Sequence, residues 1–247
     1  MWIDTHCHLQ LDERRPEELL ERAPQVDSVV VPGVDAASSR AALALAESLS
    51  PRVVATAGLH PHDAERWPAE RAEIIELAGR GRAVGEVGLD FYRNLAPRAA
   101  QLSAFGDQLD LAADLGLPVI VHCRDAFADV FRMIEGHAAR TTAILHCWTG
   151  GPRWTRRFLD LDTIFSFAGP VAFATGDTAR RGAALVPPDR ALVETDTPYL
   201  APPPHRQEPN EPAWVALVGA ALGRVWGMDD AAVAAATSAN ARQVFGL

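Results

Sequence analysis

The sequence predicts an α/β protein, a (β/α)8 TIM barrel formed by residues 1–247 as a single domain. Short apolar, β-rich runs alternate with helix-like stretches, which is typical of a parallel sheet built from βα units. Eight such runs recur roughly 20–35 residues apart, whereas an open doubly wound sheet usually needs fewer strands. The length of 247 residues also suits one closed barrel of about 250 residues.

The strands are predicted where β-branched and other apolar residues cluster over four to eight positions. In chain order they lie at about 1–6, 28–33, 53–60, 83–89, 118–123, 142–147, 163–169 and 191–196. Helices are predicted between them and after the last of them. The helix-like stretches are PEELLERA, AASSRAALALAESL, PAERAEIIELAGR, APRAAQLSAFGDQLDLAADLG, RDAFADVFRMIEG, GPRWTRRFLDL, PAWVALVGAALGRVW and DDAAVAAATSANARQVF. One proline-rich stretch, APPPHRQEPNEP at 201–212, is predicted as a loop.

The charge balance excludes several classes of protein. The net charge is −9, so the protein cannot present the broad positive surface of a duplex-binding protein. All 23 basic residues are arginine. The lack of lysine excludes a lysine Schiff base, a phosphate-loop lysine and a carbamylated-lysine metal bridge.

Other features of composition set the expected location. No apolar run is long enough to span a bilayer, and Asp4, His6 and His8 interrupt any secretory leader, so we expect a cytoplasmic protein without membrane contact. The three cysteines form an odd set without a C-x-x-C pair, which supports neither a disulfide framework nor a zinc ribbon.

Six of the eight histidines and two acidic residues lie at or just past the carboxyl ends of the predicted strands, where barrel enzymes carry their sites. These residues are His6, His8, His60, His62, Glu86, His122, His146 and Asp196. Buried charges that converge on one rim need a metal or a dense hydrogen-bond network, and this set predicts a metal site. The other two histidines, His137 and His205, are interpreted as structural residues.

The opening segment DTHCHL has the spacing of a chelating pair. Side chains alternate along a strand, so His6 and His8 point the same way and Cys7 points the opposite way. Cys123 and Cys147 directly follow His122 and His146, and the same alternation predicts that all three cysteines pack in the core.

An ordered series of motifs resembles the TatD family of metal-dependent deoxyribonucleases, within the amidohydrolase-like barrel hydrolases. The series runs DTHCHL, GLHPHD, EVGLDFYR, VIVHCRDA, ILHCWTG, VETDTPYLAP, NEPAWV and NARQVFGL. The resemblance implies a two-metal site. In it His6, His8 and Asp196 hold the first ion, His122 and His146 hold the second, and Glu86 bridges both. It also places His60 and His62 on the substrate side. One motif departs from the family, which often has an arginine directly before NEP, where this chain has Pro209 and its nearest arginine is Arg206.

The donor set suits zinc, manganese, cobalt, nickel or iron better than magnesium, although availability can decide which ion is bound. Two ions can activate a water for in-line displacement at phosphorus, with Asp196 as general base. Arg93 and Arg124 lie just past strand ends and are candidate phosphate ligands, the alternative being surface ion pairs. Tyr92, Trp148 and Tyr199 are candidates for stacking on bases, the alternative being packing.

The resemblance implies a hydrolase of ester bonds, namely a deoxyribonuclease with 3'-5' exonuclease-like action on the ends of single-stranded DNA, and we expect a monomer. The residues themselves do not give the polarity of cleavage or the choice between DNA and RNA. A second hypothesis keeps the metal site and changes the substrate to a carboxyl ester, lactone, amide or D-aminoacyl-tRNA, because activated water attacks carbonyl carbon as readily as phosphorus. A third is a metal-binding scaffold without turnover, which the complete ligand set and Asp196 disfavour.

Overall fold

The computed structural model describes residues 1–247 and contains eight short parallel strands. They are β1 (Trp2–Asp4), β2 (Val26–Pro32), β3 (Val53–Thr56), β4 (Val84–Asp90), β5 (Val119–Arg124), β6 (Ala143–Leu145), β7 (Ile164–Phe167) and β8 (Ala191–Val193). Each lies within two residues of a predicted start, and the α/β class with strands alternating with helices is confirmed.

Nine α-helices surround the strands. They are α1 (Pro16–Glu21), α2 (Ala36–Ser48), α3 (Trp67–Ala78), α4 (Arg98–Leu115), α5 (Phe127–Glu135), α6 (Pro152–Leu159), α7 (Asp177–Ala183), α8 (Val215–Trp226) and α9 (Asp230–Phe245). Short 3₁₀ turns occur at Pro61–Arg66, Gly169–Ala172, Pro188–Arg190 and Pro212–Trp214. Helix α7 is not among the helices that the sequence predicts, because DTARRGA offers only small and charged residues and no apolar stripe. None of the helices combines the length and the apolar character that a bilayer crossing requires.

Local sequence signals explain several helix ends. The Asp35 side chain accepts from the Ser38 backbone N–H, and the Ser38 hydroxyl reaches back to the Asp35 backbone, which forms a capping box before α2. Asp229 caps α9 through the Ala232 backbone N–H. Gly116 ends α4 in the left-handed conformation that glycine tolerates best.

The strands form two sheets that close around one axis. One sheet has the order β1-β2-β3 and the other the order β4-β5-β6-β7-β8. At one seam Ala57 pairs with Val84 in an isolated bridge, and at the other Cys7 pairs with Thr197. The Thr5 N–H also donates to the Val193 carbonyl across the second seam at 3.1 Å. The TIM barrel is therefore present, with continuous ladders inside each sheet and one isolated bridge with a few further backbone hydrogen bonds at each seam.

A small apolar cluster fills the lower interior of the barrel. It contains Ile3, Val30, Ala83, Ile120, Ile144 and Leu192 from the strands, together with Ala241 and Phe245 from α9. Their neighbours on the strands belong to the larger cluster that packs against the outer helices. Two residues beyond Ile120, Ile144 and Leu192, the inward positions change to His122, His146 and Glu194. The interior is thus apolar below and polar at the carboxyl ends of the strands.

Candidate metal centre

The carboxyl ends of the strands gather the eight histidine and acid side chains that the sequence analysis selected. His6 and His8 lie just past β1, His60 and His62 follow β3, Glu86 lies on β4, His122 on β5, His146 directly after β6, and Asp196 three residues after β8. His6, His8, His60, Glu86, His146 and Asp196 are buried. His122 and His62 are partly exposed.

Glu86 is not at the end of its strand, as the sequence analysis expected, but is the third residue of β4. The register between β4 and β5 shifts between Val84 and Val87, which is the signature of a bulge that redirects a side chain. Gly88 has a φ of +134°, and a Cβ there would lie 2.1 Å from the His122 carbonyl oxygen. Only glycine can occupy that position, so β4 approaches β5 closely while Glu86 turns inward.

The first group of donor atoms surrounds one oxygen of Glu86. His6 Nε2 and His8 Nε2 are 3.2 Å apart, and they lie 3.3 and 3.6 Å from Glu86 Oε2. Asp196 Oδ1 lies 3.5 Å from His8 Nε2 and 3.9 Å from His6 Nε2. The Nδ1 atoms of both histidines are buried without a hydrogen-bond partner, so each ring interacts through Nε2 alone.

These spacings fit a cation. Four ligands held roughly 2.0–2.2 Å from a tetrahedral ion lie about 3.3–3.6 Å from one another. The distances that join His6 Nε2 and His8 Nε2 to each other, to Glu86 Oε2 and to Asp196 Oδ1 run from 3.2 to 3.9 Å. Two imidazoles and two carboxylates are also a donor set that divalent transition metals accept. The residues present therefore fit a metal ion.

The second group faces the other oxygen of Glu86. His122 Nδ1, His60 Nε2 and His146 Nε2 lie 2.9, 3.4 and 3.7 Å from Glu86 Oε1. His60, Glu86 and His122 offer donor atoms within 4.8 Å of one another. The His146 ring stacks on His6, with 3.7 Å between centroids, and its donor atoms also group with His6 and Asp196. His146 thus lies between the two groups, and His60 lies closer to Glu86 than its predicted substrate-side position requires.

The charges in the cavity are strongly coupled. Burial alone would raise the pKa of Glu86, but the surrounding histidines His60, His146 and His6 hold it well below its usual range. Burial lowers the pKa of His60 to about 4. Burial also works against the charged form of His146, yet Glu194 and Glu86 raise its pKa to about 10. Carboxylates that attract a proton to His146 this strongly would equally attract a metal cation in its place.

Three buried carboxylates around the centre are absent from the predicted set. Asp4 accepts from the Thr195 backbone N–H and hydroxyl, and burial raises its pKa to about 8. Asp90 ends β4, and its Oδ2 atom lies 2.9 Å from His62 Nε2 and 3.2 Å from His122 Nε2. The third is Glu194. Period-two alternation was the available signal, since Glu194 lies two residues before Asp196 and Asp90 four residues after Glu86.

Glu194 lies beside His146 Nδ1, on the side of the ring away from the Nε2 atom that faces Glu86. Its Oε1 atom lies 2.7 Å from His146 Nδ1, without the alignment of a hydrogen bond, and accepts from the Cys147 backbone N–H at 2.8 Å. Its Oε2 atom accepts from the Ser166 hydroxyl, which in turn contacts Thr5. A carboxylate behind a metal-binding imidazole fixes the ring and raises its basicity.

Replacing Glu194 by Gln is expected to weaken metal binding at His146 by about 10- to 100-fold. The amide keeps the size and one acceptor oxygen but removes the negative charge beside His146 Nδ1. Titration of the metal-free protein with Zn²⁺ or Mn²⁺ by calorimetry measures the effect. Glu208→Gln, an exposed glutamate in the 201–212 loop, is the control. An affinity equal to that of the wild type would contradict this role.

The cysteines divide into two kinds. Cys7 is fully buried in the main core, and Cys123 packs against that core, as predicted. Cys147 differs from the prediction, because its thiol lies within 4.8 Å of donor atoms of His146 and Glu194. Strand β6 ends at Leu145 and Cys147 has a φ of +46°, so strand alternation no longer determines where its side chain points.

The predicted phosphate ligands lie at the rim. Arg93 and Arg124 are exposed, and neither has a carboxylate within ion-pairing distance. The Arg124 guanidinium lies over the Tyr92 ring, 4.1 Å from its centroid. Arg206, the nearest arginine to Pro209, instead donates to the Ala201 carbonyl at 2.9 Å and covers the Phe173 ring.

Three other assignments concern residues away from the centre. Trp148 cannot stack on a base because it is 2% exposed, donates to the Thr155 hydroxyl and packs among Phe127, Phe158 and Phe165. His137 lies 2.7 Å from the Met133 carbonyl, and His205 stacks on Trp214. Both of these histidines make local contacts, in agreement with a structural role.

Comparisons with known proteins agree with this architecture. Residues 3–246 match the family described as TatD related DNase. The chain is 34% identical to YabD of Bacillus subtilis, named an uncharacterized metal-dependent hydrolase, over 99% of each chain. It is 37% identical to the 3'-5' ssDNA/RNA exonuclease TatD of Cronobacter sakazakii, over 96% of this chain and 93% of the relative. The crystal structure of YJJV, a TatD homologue from Escherichia coli k12, superposes with a TM-score of 0.92 at 28% identity, covering 100% of this chain and 98% of that one.

Proposed function

The chain belongs to the family of TatD related DNases and is a metal-dependent hydrolase of that family, and from this premise we propose that it cleaves phosphodiester bonds at the ends of single-stranded DNA in the 3'-5' direction. The relative from Cronobacter sakazakii carries that polarity in its name, together with RNA as a second substrate. The net charge of −9 supports a strand end over a duplex, because a single rim with few arginines can neutralise only a few phosphates.

The observation that carries the proposal is the position of Glu86. Its Oε2 atom faces His6 and His8, while its Oε1 atom faces His122, His60 and His146. A carboxylate with one oxygen toward each donor group suits a bridge between two cations. Our assignment gives His6, His8 and Asp196 to the first ion and His122 and His146 to the second, with Glu86 shared. His60 is the additional candidate ligand beside His122.

Two divalent cations held there would supply an activated water and positive charge for an in-line displacement at phosphorus. Asp196, whose Oδ1 atom faces the His6 and His8 side of the cavity, would serve as the general base that takes a proton from the attacking water. Arg124 and Arg93 donate to the phosphate, since neither is engaged by a carboxylate. His62, held by Asp90, lies on the substrate side.

The identity of the ions follows from the donors. Four imidazoles and two carboxylates favour zinc, manganese, cobalt, nickel or iron, and magnesium remains possible where it is abundant. All of these side chains come from one chain, so we propose that a monomer is sufficient for activity.

The deciding experiment reconstitutes the metal-free protein with each of these ions and measures turnover on a panel of substrates. The panel contains end-labelled single-stranded DNA, the same sequence as RNA and as duplex DNA, a lactone, a carboxyl ester and a D-aminoacyl-tRNA. We expect stepwise shortening of single-stranded DNA from its 3' end and much slower cleavage of the duplex. Efficient turnover of a carbonyl substrate without any shortening of DNA would replace the nuclease assignment with the carbonyl-ester alternative.

A further inference from the structure

The aromatic residues of this chain are distributed unevenly between core and surface. There are nine phenylalanines, six tryptophans and two tyrosines. The two tyrosines, Tyr92 and Tyr199, are 63% and 55% exposed, whereas every phenylalanine and tryptophan is buried or half-buried. Both tyrosines lie at the rim of the metal centre, so the two most exposed rings among the phenylalanines, tryptophans and tyrosines stand beside the candidate active site.

Tyr199 adjoins the first donor group. Its backbone N–H donates to the Asp196 carbonyl at 2.7 Å, and its ring centroid lies 6.2 Å from that of His8. Its own carbonyl accepts from the side chain of Asn210, which is fully buried and also donates to the Thr195 carbonyl. The backbone that carries the Tyr199 ring is therefore fixed although the ring is exposed.

Tyr92 adjoins the second donor group. Its backbone N–H donates to Asp90 Oδ1 at 3.0 Å, and Asp90 Oδ2 contacts His62 and His122. Arg124 covers one face of the ring at 4.1 Å and leaves the ring, at 63% exposure, open on its remaining surface. A cation over an aromatic face restrains the ring.

We propose that Tyr92 and Tyr199 form a stacking clamp that holds the two nucleobases flanking the scissile phosphate. The clamp rests on the proposed nuclease function and gives it a specificity: a single strand with unpaired bases on both sides of the cleaved bond. One tyrosine adjoins each donor group, so a strand whose phosphate reaches the ions between them presents one base to each ring. Stacking accepts any base, because every base has a π face, and a paired duplex end cannot offer both bases. Arg124, positioned on Tyr92, lies where it can also reach the adjacent phosphate.

The test combines protein variants with abasic oligonucleotides. Kd is measured for the metal-loaded protein with single-stranded DNA whose terminal linkages are phosphorothioates, so that cleavage does not interfere. The strand carries either all of its bases or one abasic site, at the terminal or at the penultimate nucleotide. The proteins are the wild type, Tyr92→Leu, Tyr199→Leu, the corresponding Phe variants, and Leu115→Ala. Leucine keeps apolar bulk without a π face, and Leu115 is an exposed residue at the opposite end of the barrel.

In the wild type, each abasic site is expected to raise Kd by about tenfold. Each leucine variant should bind the intact strand about tenfold more weakly and should lose its sensitivity to one abasic position while keeping sensitivity to the other. The Phe variants and Leu115→Ala should behave like the wild type. Equal weakening of intact and abasic strands in both leucine variants would overturn the clamp, because a merely structural defect acts on all strands alike. If the wild type cleaves and binds single strands but an abasic site does not change its Kd, only the clamp is wrong and the proposed function stands. If it binds no single strand, the proposed function fails with it.

Discussion

The variant Asp196→Asn is expected to lose about 10²–10⁴-fold in the rate of hydrolysis, as for removal of a positioned general base. Asparagine keeps the size and one acceptor oxygen but cannot take a proton. Asp196 has a φ of +62°, and asparagine is among the residues that tolerate the left-handed region, so the backbone there is preserved. Donors from His122, His146 and Glu86 remain, and Tyr199 keeps its bond to the backbone carbonyl at position 196.

Single-stranded oligonucleotide binding and turnover should be measured side by side in saturating metal. Binding is expected to stay near the wild-type value while turnover falls. Asp189→Asn makes the same substitution at an exposed residue before the other end of β8 and serves as the control. Turnover of Asp196→Asn within a few-fold of the wild type would show that Asp196 is not the base.

The variant Glu86→Gln is expected to lose bound metal more than folded structure. The two carboxylate oxygens of Glu86 face different donor groups: Oε2 lies 3.3 Å from His6 Nε2, and Oε1 lies 2.9 Å from His122 Nδ1. Glutamine keeps the shape of this bridge but supplies no negative charge to be shared by two cations. We therefore expect metal content to fall below that of the wild type and activity to fall with it, while the thermal stability of the metal-free form changes little.

Metal content is measured by elemental analysis after reconstitution and desalting, with melting of the metal-free proteins recorded in parallel. Glu76→Gln, on the exposed face of α3, is the matched control. If Glu86→Gln retained the wild-type metal stoichiometry, the bridging assignment would be wrong. A large drop in the melting temperature of the metal-free variant would instead assign Glu86 a structural role.

The sequence was most informative where a short-range pattern determines the structure. All eight strands were predictable because each is a compact apolar run between helical segments. His6 and His8 converge as their spacing requires, with Cys7 turned into the core. Helix α7 was not predicted because its sequence has no apolar stripe. Its formation is explained by tertiary packing.

The failures share a physical origin, since alternation holds only inside a regular strand. The bulge in β4 places Glu86 in mid-strand, and the turn after β6 directs Cys147 toward the centre. Trp148 follows the same turn and reaches the core instead of the rim. Alternation could have suggested Asp90 and Glu194 as inward-facing residues, but it could not identify their partners, because Asp90 contacts His122 and Glu194 contacts His146 across up to 48 positions of the chain.

The metal centre draws its ligands from both sheets and therefore connects the sheets across the two seams of the barrel. His6, His8 and His60 extend from the three-stranded sheet, while Glu86, His122, His146 and Asp196 extend from the five-stranded one. One isolated bridge and a few further backbone hydrogen bonds join the sheets at each seam, so metal ligands drawn from both sheets would hold the two sheets together. A metal ion that binds only when the two sheets are joined at the seams stabilises the joined state by mass action. Amide hydrogens beside Ala57, Val84 and Thr197 should then exchange more slowly as metal is added, whereas those inside β5 and β6 already exchange slowly without it.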